Sequence, residues 1–175
     1  MTSSTNVWFN GSIWHALWVA CPIALGVFGI TFCAVKRGWF YFFDPKHNKD
    51  PGLKDAGEFG PHMQRYQDLA KLVITLSAGA VAFLINTLVG QKPPVSEFAQ
   101  KLAECAPIVV GYFGIAIAFL VAFMVVQNIW YEEYSHSPDH STYKAWKYAI
   151  SMSLGYTGLL SFVLGFGWLA ANTFS

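Results

Sequence analysis

The chain has 175 residues, 54% of them hydrophobic and 17% aromatic, against only 12% charged. A soluble domain of this length carries about twice that charged fraction. The net charge of +1 gives no electrostatic case for nucleic acid, and the apolar content excludes a disordered chain. The composition therefore predicts a small integral membrane protein whose first partner is the lipid bilayer.

Gaps between charged residues locate the spans. No Lys, Arg, Asp or Glu occurs before Lys36, between Lys71 and Lys92, between Glu104 and Glu132, or after Lys147. Each gap holds the roughly 20 apolar residues that cross a ~30 Å hydrocarbon core as a helix. In lipid every backbone polar group must be satisfied within its own segment, which selects helices, and no alternation suited to a β-barrel is present. The expected fold is an all-α bundle of four transmembrane helices in a single domain, with spans at about 13–35, 72–91, 107–130 and 148–171.

The first span lacks the basic n-region of a cleaved signal peptide, so it reads as a retained helix. It is expected to continue past Lys36 through Trp39 to Phe43 and to stop at Asp44-Pro45. The second helix opens at Gly60-Pro61, where a proline's missing N–H costs nothing, and meets no breaker before Gly90. It is roughly 45 Å long at 1.5 Å per residue. Ser96 caps a third helix that runs to about Tyr134 through Pro107, and Asp139 or Ser141 caps a fourth that ends near Asn172. These lengths exceed the hydrocarbon core and predict helices that project beyond it.

Of the 11 Lys and Arg, all but Lys92 and Lys101 fall on the first and third connections. The excess of basic residues predicts cytoplasmic loops over 36–60 and 132–144, with both termini outside. A bacterial inner membrane is the expected setting. Aromatic residues gather at both predicted boundaries, as Trp and Tyr do at headgroup depth.

Small residues recur at helical spacing. Gly114, Ala118 and Ala122 form a ladder on the third span, and Ser151, Gly155, Gly158 and Gly165 lie along one stripe of the fourth. Gly26 and Gly29 mark the first span, and Ala78 and Ala82 the second. Such ladders let helices approach closely in lipid. Two of them in one chain leave a surplus face that would join copies into a homo-oligomer.

No ionisable residue lies deep in a span, which counts against ion-coupled transport. The neutral polar residues Thr75, Asn86, Gln127 and Asn128 remain as candidates to wet a path through an oligomer. On the expected cytoplasmic side, Arg65, Glu132, Glu133, His136 and His140 form a candidate regulatory rim. Pro138 separates the two histidines and denies them a rigid i, i+4 metal pair, so neither a metal site nor a cofactor is expected. Cys21, Cys33 and Cys105 form no C-x-x-C motif and read as buried, inert thiols. Phosphate loops, zinc motifs and nucleophile elbows are missing from the sequence.

The leading expectation is a non-enzymatic, homo-oligomeric channel or pore regulated from the cytoplasmic side. A structural or regulatory subunit of a larger membrane complex is the alternative, and it uses the same small-residue faces. A lipid- or quinone-acting enzyme with a Glu132, Glu133, His136 and His140 site is the third reading.

Overall fold

The structure is a computed structural model that describes residues 4–37, 56–90, 97–136 and 145–173. Four helices follow one another: α1 (Ser4–Lys36), α2 (Ala56–Gly90), α3 (Glu97–His136) and α4 (Ala145–Thr173), with no strand among the described residues. All four are long and apolar enough to cross a membrane, over Trp14–Ala34, Gln64–Thr87, Glu97–Glu133 and Trp146–Thr173. The described residues are thus helical throughout, apart from a turn at Arg37, and the chain has the make-up of an integral membrane protein.

Two of these stretches start earlier than the charge gaps suggest. α2 carries Asp68 and Lys71 inside its long apolar stretch, where they pair at 3.3 Å on an exposed side. Lys101 and Glu97 do the same on the first turn of α3, at 3.4 Å. Paired charges near the start of an apolar stretch reach back toward the headgroups, so they need not end a span. α2 also begins at Ala56, ahead of Pro61, and α3 and α1 run unbroken through Pro107 and Pro22. The expected caps Ser96, Asp139 and Ser141, and the extension of α1 over 38–43, lie outside the described residues.

α3 is the hub. Its closest partner is α4, α2 lies against another side, and α1 sits against both α3 and α4. Contacts at both ends fix an antiparallel order. His15 of α1 lies beside Tyr112 of α3 and Trp168 of α4 at one end. At the other end, Gln67 of α2 reaches Asn128 of α3, and Glu133 of α3 reaches Lys147 of α4. That second end also holds Lys36, Arg37 and Arg65, and is called the basic end below.

The core follows from this order. Leu84 of α2 meets Leu102, Val109 and Phe113 of α3. Ala70 and Val73 meet Leu120 and Phe123 nearer the basic end. Ala16 and Ala20 of α1 meet Tyr112 and Ile115. α1 and α2 each bury one narrow side only, which explains large apolar residues left outside, such as Trp18 at 74% exposure and Phe83 at 63%. Lipid is the natural cover for such surfaces.

Candidate functional site

Glycines draw α3 and α4 together. A Cβ on Gly158 would lie 2.6 Å from Leu120 Cγ, and one on Gly165 would lie 2.9 Å from Phe113 Cε1. A Cβ on Gly155 would touch the Phe123 ring at 3.3 Å. The small stripe of α4 is therefore consumed within the chain. The ladder of α3 is different: Gly114 and Ala118 are exposed, Ala122 is half-buried, and nothing lies within 4 Å of a Cβ added at Gly114.

The first helix uses alanines where the sequence singles out glycines. Ala16, Ala20 and Ala34 are buried, and Ser153 of α4 donates to the carbonyl of Ala24 at 2.6 Å. Gly26 and Gly29 have open space around them. The four-residue repeat Ala16, Ala20, Ala24 carries the signal for this face, and glycine content alone hides it. Cys21 and Cys33 lie on the outer side of α1, so only Cys105 is buried, against the expectation for all three. One-sided burial of α1 is the reason.

Polar side chains cross between helices at the basic end. Gln67 Nε2 donates to Asn128 Oδ1 at 2.6 Å. Gln127, only 7% exposed, donates through Nε2 to Ser151 Oγ at 2.8 Å. Lys147 is buried to 8% exposure, with Nζ 2.5 Å from Glu133 Oε2 and 5.8 Å from the Trp146 ring centre. Trp130 meets Trp146 edge to face at 6.1 Å. These contacts tie α2 to α3 and α3 to α4. Gln127, grouped with the path-wetting residues on sequence, is thereby taken off the outer surface of the protomer.

The outer side of α2 carries the other polar candidates. Gln64, Asp68, Lys71, Thr75, Ala78, Gly79, Ala82 and Asn86 are all exposed. Steps of three and four residues set them on one stripe, directly opposite the buried Ala70, Val73, Ser77 and Leu84. Large apolar residues flank it, with Leu72, Leu76 and Phe83 on one side and Ile85 on the other. Thr75 satisfies its hydroxyl on the carbonyl of Lys71 at 2.9 Å. The Asn86 carboxamide has no hydrogen-bond partner among the described residues. Thr75 and Asn86 thus share a face that Gln127 and Asn128 do not.

Arg65 is exposed, Glu133 holds Lys147, and the His136 ring nitrogen Nδ1 lies 2.8 Å from the Glu132 carbonyl. His140 lies outside the described residues. Among the described residues, no three His, Cys, Asp or Glu side chains gather as metal ligands. The chain matches no protein-family model, no curated protein and no solved structure.

Proposed function

We propose that the chain is the protomer of a homo-oligomeric membrane channel without catalytic activity, lined by the outer stripe of α2. The carrying observation is that this stripe, the part of α2 farthest from its own core, is polar or small at every turn. A helix side meant for lipid is built from large apolar residues, as the flanks of α2 are. An unpaired amide moved from water into hydrocarbon costs roughly 2–7 kcal/mol. Water in a shared path, or the same stripe on a neighbouring copy, removes that cost for Asn86 and leaves Ala78, Gly79 and Ala82 as close-approach points. Gly114 and Ala118 of α3 supply a second open small-residue face for contact between copies.

In this reading the basic end lies in the cytoplasm, by the excess of Lys and Arg on the connections there, and both termini lie outside. The membrane is a bacterial inner membrane. Arg65, Glu132, Glu133, His136 and His140 receive the regulatory signal at the cytoplasmic rim.

Conductance of the purified protein in planar bilayers is the test. Asn86→Leu and Thr75→Val are expected to lower unitary conductance, and unchanged conductance in both removes the lining assignment. Native mass spectrometry of the gently solubilised protein is expected to give one closed oligomer. A single copy bound to another chain would instead make the stripe the docking face of a subunit in a larger complex.

A further inference from the structure

A groove of about 140 Å³ opens sideways between α2 and α4, well away from the polar stripe. Leu120 and Phe123 of α3 form its floor, Leu69 and Ala70 one wall, and Met152 and Leu159 the other. It exists because α2 leans on α3 and scarcely touches α4, and because Gly155 contributes no side chain to the gap. Tyr66 and Tyr156, each about half exposed, stand at its edges. All its lining residues belong to stretches apolar and long enough to cross a membrane, so the groove faces hydrocarbon along about 10 Å of helix.

The charge beside it selects the occupant. Arg65 lies one turn before Leu69 on the same side of α2, toward the basic end. It is exposed and makes no ion pair among the described residues, whereas Lys71 is held by Asp68 and Lys147 by Glu133. Asp68 lies on the polar stripe, turned away from the groove. An exposed guanidinium at headgroup depth, above an apolar slot with tyrosine hydroxyls at its edge, matches a phosphate ester followed by an acyl chain.

We propose that this groove is a binding site for an anionic phospholipid, one acyl chain lying between α2 and α4 and the headgroup phosphate meeting Arg65. The occupant is independent of any lining role for α2, since the groove and the stripe lie on different sides of that helix.

The test is native mass spectrometry of the full chain titrated with phosphatidylglycerol or phosphatidylcholine in a mild detergent. Wild type is expected to retain phosphatidylglycerol at about one per protomer and to bind it about fivefold more tightly than phosphatidylcholine, the contribution of one cationic side chain near a headgroup. Arg65→Ala is expected to abolish that preference while leaving chain binding. Met152→Trp, which fills the slot, is expected to lose both lipids with unchanged helical content by circular dichroism. Equal affinity for the two lipids in wild type, or a preference that survives Arg65→Ala, overturns the proposal. So does full retention by a folded Met152→Trp protein. Should that variant fail to fold, exposed Arg65→Ala decides alone.

Discussion

A single methyl group separates the two kinds of glycine in this chain. Gly158 has Leu120 within 2.6 Å of where a Cβ would stand, and the Ala116 carbonyl within 3.2 Å, so α3 cannot yield without moving backbone. Gly158→Ala is expected to destabilise the fold by ~1–3 kcal/mol, as overpacking does. Gly114→Ala, placed in open space, should leave it unchanged, and denaturant unfolding in micelles followed by circular dichroism compares the two. Spacing made both ladders visible in the sequence, but spacing does not tell which ladder the chain uses itself. That depends on which helices become neighbours, and neighbours are set by the sum of all faces. The same limit explains Ala16, Ala20 and Ala24, whose repeat is legible while its partner, a serine on α4, is not. Gln127 is a further case. Its residue type suits both a wet path and an interhelical bond, and the bond to Ser151 that the fold provides is not legible in the sequence.

Among the elements, α3 and α4 form the tightest pair, and their link at the basic end is electrostatic as well as steric. Lys147 is buried against Glu133, which is itself half exposed. Glu133→Ala strands the ammonium in a nearly closed site, and an expected loss of ~1–3 kcal/mol reflects a charge left without its hydrogen-bond partner. Thermal unfolding in micelles at low and high salt checks this, since a partly exposed pair is also weakened by salt. Gln127→Leu removes a bond across the same pair of helices and should cost about 0.6–2 kcal/mol, with conductance untouched. Asn86→Leu should do the reverse. The existence and approximate limits of all four helices were legible, because charge gaps and apolar length act locally. The starts of two apolar stretches were less so, since Asp68, Lys71, Glu97 and Lys101 pair along their own helices and let apolar surface begin before the charge gaps.

For the whole molecule, burial is uneven. α3 is surrounded on three sides, while α1 and α2 are covered on one. Assembly through the outer stripe of α2 predicts that Gly79→Leu, at a position where an added Cβ has open space within the protomer, splits the oligomer without unfolding its subunits. Size-exclusion chromatography with light scattering reads the mass. In a cysteine-free background, Ala82→Cys on that stripe is expected to form disulfides between copies, and an equivalent cysteine on the lipid-facing side of α1 is not. Monomeric wild type, or cross-links from both positions alike, would remove the α2 interface.

The separate seating of α1 and α2 also gives the protein a history. Both lie against α3, on different sides, so α1 and α2, which leave the ribosome before α3, have little to hold one another. At ~5–20 residues per second, the wait for α3 lasts on the order of seconds. Through that interval α1 and α2 are expected to stand as separate posts, with the sides that the fold buries, Ala16 and Ala20 or Val73 and Ser77, still uncovered. Arrival of α3 is then expected to cover α2 and that of α4 to complete the seat of α1, which makes α3 and α4 the template on which α1 and α2 are gathered.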